Sequence, residues 1–272
     1  MDCIFGVALL RRFVVEFDYA KPGIVLYERS TYQPVAGTER IPLVFYTNPR
    51  VPFVDIQVSF SAGPPESLRV VPDTGTSFYG AIMVGGAADR VKARVQKTVV
   101  AITYPDPEPG RILQVSAARP SAVTVGPFSI KEPVIAFVSG NLGSGGIADG
   151  TLGEGFFRRF TAGFDFEGRT MYLRPSSRLS DTSAYDASGI GFVRRNGRDV
   201  VFMVLADSSG AKAGVQVDDV LLEIDGRQAA SLTPVEIRNL FSLAGRTGRT
   251  SRIVLERSGR RITVDISLTP RL

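Results

Sequence analysis

The sequence predicts a mainly β protein built from a repeated unit and a separate C-terminal module. Three observations lead to this prediction. Residues 54–60 alternate between apolar and polar side chains, the period of a half-buried strand. A stretch near the start of the chain recurs 147 residues later. The character of the sequence then changes after a polar linker near residue 180.

The composition excludes several function classes. The 272 residues are 44% hydrophobic, enough for one or two domains with real cores. The net charge is +5, and the positive residues are mostly scattered along the chain. The arginines of residues 246–261 alternate with apolar residues as on a solvated strand face, so no nucleic-acid role is predicted. No apolar run is long enough to span a membrane. The apolar run at residues 4–10 is short and lacks a preceding basic region, so we predict no signal peptide.

The chain contains no histidine and one cysteine, Cys3. Ser-His-Asp and Cys-His catalysis, the usual zinc sites and disulfides within the chain are therefore excluded. No metal, nucleotide or haem motif appears, and we predict no cofactor and no metal. If the protein hydrolyses a substrate, carboxylates are its natural catalysts.

The repeat joins residues 2–19 to residues 149–166 without a gap. Both copies share an Asp, a Gly, the Arg-Arg-Phe triplet and a Phe-Asp pair, whereas Tyr19 is matched by Phe166. Such a match indicates a duplicated unit. It predicts four segments: the end of a first copy, a complete second copy, a linker and a C-terminal module, at residues 1–35, 36–176, 177–186 and 187–272.

The second copy carries Asp73-Thr74-Gly75 directly after an apolar run. The Asp supplies a carboxylate that activates water, the Thr hydroxyl can hold the loop, and the Gly allows close approach of chain and substrate. This triplet resembles the active-site loop of aspartic proteases. The alternative is an ordinary turn, because all three residue types are common in turns.

Residues 151–153, Thr-Leu-Gly, resemble the apolar-apolar-Gly element that threads beside the catalytic loop in such lobes, and residues 4–6 match it better. Residues 149–160 look like the end of bacterial retropepsin-like domains, with a short helix before a final strand. The resemblance implies a retropepsin-like acid-protease β-barrel lobe at 36–176, preceded by the remnant of a first protease lobe. Pro72 and Thr151 replace usual aliphatic residues, which indicates relaxed constraint or drift. Because proline lacks a backbone donor, we expect altered pairing there.

The same resemblance implies that Asp73, Thr74 and Gly75 are catalytic, with Asp73 as one of two carboxylates that share a proton. The repeat offset puts a partner loop about 74 residues before Met1, so we expect an N-terminally truncated chain. The second Asp would come from that absent lobe or from a homodimer partner. The aspartates of the repeated segments are interpreted as structural: Asp2, Asp18, Asp149 and Asp165.

Three further features of this copy are predicted. Residues 87–96 favour a short helix, and the Gly/Ser-rich residues 139–146 are expected to be mobile. Residues 99–104 and 111–116 flank a Pro-rich connection. This hairpin is a candidate flap with Tyr104 at its end, and a plain surface turn is the alternative.

The C-terminal module, residues 187–272, resembles a PDZ domain in the bacterial strand order, a small β-barrel with two helices. The resemblance rests on the loop at 188–193, a short helix at 209–215, the segment 217–226 and a closing hairpin at 251–256 and 261–268. A capping box begins a helix at Thr233, and Gly245 is expected to end it.

The PDZ resemblance implies that the N–H groups of Ile190, Gly191 and Phe192 bind the C-terminal carboxylate of a peptide. The peptide would add as a strand between the Phe192 strand and the helix from Thr233. A tight turn without a ligand is the alternative for the loop glycines.

Two functions follow as hypotheses. The first is an aspartic endopeptidase whose PDZ domain recruits polypeptide substrates by their C-termini. The second is a catalytically silent, peptide-binding adaptor. The resemblance implies an extracytoplasmic, periplasmic location in a bacterium, but the sequence shows no export signal.

Overall fold

A computed structural model describes residues 10–19, 21, 23–46, 51–76, 79–105, 112–138, 148–244 and 247–272. The chain divides into two compact units, the first formed by residues 1–96 and 119–182 and the second by residues 97–118 and 183–272. Both units consist mainly of strands in curled sheets, so the predicted mainly β fold class is confirmed. The residues predicted to be mobile, 139–146, lie outside the described part of the chain.

The strands and helices follow one another along the chain in this order: β1 (Phe13–Asp18), β2 (Ile24–Glu28), β3 (Glu39–Pro42), β4 (Val54–Ser59), β5 (Glu66–Pro72), β6 (Ala81–Val84), α1 (Gly85–Lys92), β7 (Thr98–Pro105), β8 (Ile112–Ala118), β9 (Ala122–Val125), β10 (Phe128–Lys131), β11 (Ile135–Val138), β12 (Gly150–Leu152), α2 (Glu154–Phe157), β13 (Phe160–Asp165), β14 (Thr170–Pro175), β15 (Tyr185–Asp186), β16 (Ile190–Arg195), β17 (Arg198–Val204), α3 (Ser209–Lys212), β18 (Val220–Ile224), β19 (Arg227–Gln228), α4 (Pro234–Phe241), β20 (Ser242–Leu243), β21 (Arg249–Arg257) and β22 (Arg260–Leu268).

The first unit contains two sheets. One has the order β2-β1-β13-β14-β3, and in the other the strands of this unit run β10-β9-β4-β5-β12-β6-β11. The alternation that predicted β4 is also its burial pattern, because Val54, Ile56 and Val58 are buried while the two residues between them are exposed. The helix α1 begins two residues before the predicted start and ends four residues before the predicted end. Its buried side chains stop at Val91, so no apolar face continues it further.

The repeat appears in the first sheet as a local two-fold relation. Strands β1 and β13 are the two copies of one element, and they pair antiparallel with Glu16 opposite Gly163. These two residues occupy the same position in the repeat, 147 residues apart. The rings of Phe17 and Phe164, also equivalent, meet edge to face at 5.9 Å. A pseudo-two-fold axis therefore passes between β1 and β13.

The second unit contains the hairpin β7–β8 and the C-terminal strands. These strands form a sheet with the order β16-β17-β18-β21-β22, while β19 pairs with β18 and β15 pairs with β20. The capping box is present at Thr233 and Glu236. The helix α4 ends at Phe241, earlier than predicted, because Ser242 turns to an extended conformation and pairs with Asp186. Gly245, the predicted end, lies outside the described residues.

Candidate functional site

The Asp73 loop starts where β5 ends, beside the threaded strand β12. This short strand lies between β5, to which it is parallel, and β6, to which it is antiparallel. The N–H of Asp73 donates to the carbonyl of Leu152 at 2.9 Å, and the N–H of Gly153 donates to the carbonyl of Gly80 at 3.0 Å. The base of the loop is thus held by the element that the sequence identified at residues 151–153.

Pro72 does not disturb this pairing, contrary to the expectation from sequence. It pairs with Leu152 in the parallel ladder, and the next residue, Asp73, donates to β12. Successive N–H groups of a strand point to opposite sides. The donor that proline lacks would therefore point towards β4, whose pairing with β5 already stops at Val54 and Val70.

The loop itself orients the Asp73 carboxylate. The N–H of Gly75 donates to Oδ1 at 3.0 Å, and the hydroxyl of Thr76 donates to Oδ2. The side chain is half-buried. Both oxygens have a donor within three residues, so the carboxylate has a fixed direction. Thr76 belongs to this site although sequence reasoning gave it no role; a hydroxyl three residues after an Asp was the available signal.

Tyr19 reaches the loop from the first copy of the repeat. Its hydroxyl donates to the carbonyl of Thr74 at 3.1 Å. Burial raises the pKa of Tyr19, and the negative charges of Glu154 and Asp73 raise it further. Tyr19 therefore remains a hydrogen-bond donor at any ordinary pH. Sequence reasoning missed this role. The available signal was the difference between the two copies of the repeat, since Tyr19 carries a hydroxyl and the equivalent Phe166 does not.

Two glycines near the loop differ in how strictly they are required. A Cβ on Gly153 would lie 2.6 Å from the carbonyl oxygen of Tyr79 and 3.2 Å from that of Thr76, and neither is free to move far. A Cβ on Gly75 would meet Oδ1 of Asp73 at 3.4 Å, an ordinary contact. The sequence predicted that Gly75 is needed for close approach. In the structure, the position that leaves no room for a side chain is Gly153.

The other aspartates of the repeat make structural contacts in the described residues. Asp149 accepts the N–H of Arg69 at 2.8 Å, and Asp165 pairs with Arg29 at 2.9 Å. Asp18 accepts the N–H of Lys21 at 3.4 Å. Asp2 lies outside the described residues, as do residues 4–6.

A buried arginine supports the helix beside the loop. Arg159 is fully buried and donates to the carbonyls of Gly155 and Asp181, the latter at 2.5 Å. Burial and the charge of Arg158 lower the pKa of Arg159 to about 10. The equivalent residue in the first copy, Arg12, is exposed.

A cavity of about 600 Å³ lies on β4 and β5, away from Asp73. Arg69 lines it and pairs through two nitrogens with Asp55, at 2.6 and 2.9 Å. The hydrogen bond from Arg69 lowers the pKa of Asp55. None of the predicted site residues lines this cavity.

In the second unit, the loop at residues 188–190 is held by Asp186. The carboxylate accepts the N–H of Gly189 at 2.7 Å, the hydroxyl of Ser188 at 2.7 Å and the N–H of Ser188 at 3.2 Å. Burial raises the pKa of Asp186, while these donors and the charge of Arg271 lower it in part. Gly189 has a φ of +69°, and a Cβ there would lie 2.3 Å from Cβ of Ser208. Glycine is therefore required by the turn itself.

The three predicted carboxylate-binding amides lie at the start of β16. The N–H of Ile190 already donates to the hydroxyl of Ser188 at 3.1 Å. Gly191 and Phe192 are strand residues opposite Met203 and Val201, with a register shift between them. The ring of Phe192 stacks on Phe241 of α4 at 5.3 Å. The strand β16 is thus at the edge of its sheet with α4 beside it.

The hairpin that the sequence marked as a candidate flap consists of β7 and β8. Tyr104 lies in β7, and the connection at 106–110 lies outside the described residues. The register shifts between Val100 and Ile102, which leaves Ala101 as a bulge.

Within the described ranges there is no helix long and apolar enough to cross a membrane, and there is no group of three or more Cys, Asp or Glu side chains that could hold a metal.

No protein-family model and no curated protein matches the chain. Among solved structures, a photosystem II D1 C-terminal processing protease is 16% identical with a TM-score of 0.27; the match covers 33% of this chain and 24% of that one. The chain therefore spans about a quarter of that enzyme.

Two further solved structures are similar. A retropepsin-like aspartic protease from Rickettsia conorii is 16% identical with a TM-score of 0.37, over 51% of this chain and 100% of that chain. An HtrA-type protease with a decapeptide is 12% identical with a TM-score of 0.35, over 98% of each chain.

Proposed function

We propose that this chain carries one half of an aspartic endopeptidase site together with a PDZ-type module that binds peptide C-termini. The proposal of a catalytic site rests on the hydrogen bond that joins Asp73 to the threaded strand β12. The loop is fixed at its base by Leu152, and its carboxylate is directed by Gly75 and Thr76.

The chemistry needs two carboxylates. One, ionised, removes a proton from a water molecule whose oxygen attacks the peptide carbonyl carbon. The other, protonated, donates to the carbonyl oxygen. The first carboxylic acid then gives its proton to the amine nitrogen, the other carboxylate takes a proton from a hydroxyl of the tetrahedral gem-diol, and the C–N bond breaks, which restores the singly protonated pair. Asp73 supplies one of these groups.

The pseudo-two-fold axis between β1 and β13 supports the idea that the second carboxylate comes from a lobe or chain related to this one by two-fold symmetry. The exposed outer edge of β2 supports the same idea. On β14, Met171, Tyr172 and Leu173 are buried and β3 pairs alongside. Their equivalents on β2, residues 24–26, are 55%, 47% and 43% exposed, and no described strand pairs along the outer edge of β2. An upstream lobe or a second chain would cover this edge and bring the second Asp.

Cleavage of casein, measured across pH and protein concentration, tests this proposal. We expect Asp73→Asn to abolish activity and Asp55→Asn, which removes an exposed carboxylate from the same unit, to retain it. If the second Asp comes from another chain, specific activity rises with protein concentration. Activity that survives in Asp73→Asn excludes Asp73 as the catalyst.

A catalytically silent, peptide-binding adaptor is the second candidate, because the sequence has a single Asp-Thr-Gly triplet. Both candidates require the second unit to bind peptide C-termini in the space between β16 and α4. A free-carboxylate peptide that binds, with no cleavage at any concentration, favours the adaptor. Equal binding of an amidated peptide would contradict C-terminal recognition in either case.

A further inference from the structure

Arg271 lies between the loop at residues 188–190, which is the proposed peptide-binding loop of the second unit, and the β7–β8 hairpin. Its Nη2 donates to the carbonyl of Val100 in β7 at 2.7 Å. Its Nη1 lies 4.0 Å from Oδ2 of Asp186. The side chain is 17% exposed, and the guanidinium lies 5.9 Å from the centre of the Tyr185 ring. One mostly buried cation thus contacts both elements.

Asp186 is the link between Arg271 and the loop. The oxygen that Arg271 faces, Oδ2, accepts the N–H of Gly189, and the other oxygen accepts both donors of Ser188. A shift of Arg271 therefore changes the charge felt by the carboxylate that shapes the loop. Conversely, a new negative charge at the loop changes the position that Arg271 prefers.

The guanidinium has a donor available for such a charge. Its Nη1 is buried and has no hydrogen-bond partner among the described residues. A buried donor without an acceptor is unfavourable, so an arriving carboxylate would be a strong competitor for this group. On the other side, Arg271 binds β7 beside the bulge at Ala101, where the ladder is already interrupted.

We propose that Arg271 couples peptide binding to the hairpin: a peptide carboxylate at the loop draws the guanidinium towards itself, and Val100 loses its donor. This inference rests on the proposed peptide-binding function of the loop. Occupancy of the loop loosens β7, so a peptide C-terminus regulates the hairpin that the sequence marks as a candidate flap. A ligand shifts such an equilibrium only if it interacts differently with the two states, and the shared guanidinium supplies that difference.

Hydrogen exchange of the full chain, followed by mass spectrometry, tests the coupling. The probe is a pool of decapeptides that end in Ala, Val, Leu, Ile or Phe with a free carboxylate, and the same pool with C-terminal amides is the control. We expect the free-carboxylate pool to bind and to speed exchange in β7 about tenfold, since a hydrogen bond from a charged donor contributes about that factor. The amidated pool should do neither.

Two variants sharpen the test. In the Arg271→Gln variant, the amides of β7 should exchange fast without peptide. The variant should bind the free-carboxylate pool more weakly, and saturation with that pool should not change the exchange rate of β7 further. Arg252→Gln removes an exposed arginine that pairs with Asp265 in the same unit, and it should respond like the unaltered protein. A response in Arg271→Gln equal to that of the unaltered protein overturns the proposal. Binding with unchanged exchange in β7 also overturns it but leaves peptide binding intact, whereas absence of binding overturns both.

Discussion

The threaded strand β12 contains a buried hydroxyl that should cost stability. Thr151 lies between Val71 of β5 and Ile82 of β6, and its Oγ1 is buried without a hydrogen-bond partner among the described residues. Thr151→Val replaces this hydroxyl by a methyl group of similar size and keeps the β-branched shape that strands favour. The change therefore isolates the cost of the unsatisfied polar atom.

The expected magnitude follows from two contributions. A buried polar group left without a partner costs about 1–3 kcal/mol, and a newly buried methyl group contributes about 0.8 kcal/mol. Because the Thr151 residue as a whole is only partly buried, we take about half of this sum and expect Thr151→Val to raise the free energy of unfolding by about 1–2 kcal/mol. At a urea dependence of about 2 kcal/mol/M, the unfolding midpoint rises by about 0.5–1 M.

Urea unfolding followed by circular dichroism is the assay, with Thr124→Val as the matched control. Thr124 is in the same sheet, but its hydroxyl donates to Ser129 at 3.0 Å. The control should lose about 0.5–1 kcal/mol. A midpoint of Thr151→Val at or below that of the unaltered protein would refute the reasoning.

Three other predictions concern the first unit. Arg159→Leu leaves the buried carbonyl of Gly155 and the part-buried carbonyl of Asp181 without this donor, and we expect a loss of about 1–3 kcal/mol in urea unfolding; Arg12→Leu, the exposed equivalent, should change stability little. Gly153→Ala forces a Cβ against backbone and should lose about 1–3 kcal/mol, whereas Gly75→Ala should lose less. Asp55→Asn should cost less than about 0.5 kcal/mol at pH 7, because the pair is largely exposed. The hydrogen bond from Arg69 lowers the pKa of Asp55 in the folded state, so its contribution is fully present above the unfolded pKa of about 4 and is lost as the pH falls through the lower folded pKa. An equal effect of Asp55→Asn at pH 2 and pH 7 would contradict this assignment.

The sequence predicted those parts of the fold that depend on local pattern. The alternation at β4 and the capping box at Thr233 each rest on neighbouring residues, and the structure agrees with both. The predicted ends of α1 and α4 were wrong. The end of α4 is set by a partner elsewhere in the chain, the pairing of Ser242 with Asp186, whereas α1 ends where its own buried face stops at Val91.

The candidate catalytic site was predicted only in outline. Asp73 could be singled out from its triplet, but the orientation of its carboxylate depends on Thr76, and the loop carbonyl depends on Tyr19, 55 residues away. No local pattern reports such a contact. The expected effect of Pro72 failed for the same reason, since it required knowing which neighbour the missing N–H would face.

The pairing of β1 with β13 has a consequence for how the repeat is divided. By sequence, residues 1–35 belong to a different copy from residues 36–176. In the sheet, however, β1 covers one side of β13, and Tyr19 from the same segment supports the Asp73 loop. A cut at residue 35 would expose a long strand edge and remove that support. The boundary predicted at residue 35 is therefore not a boundary for folding, because the segment before it packs against the segment after it.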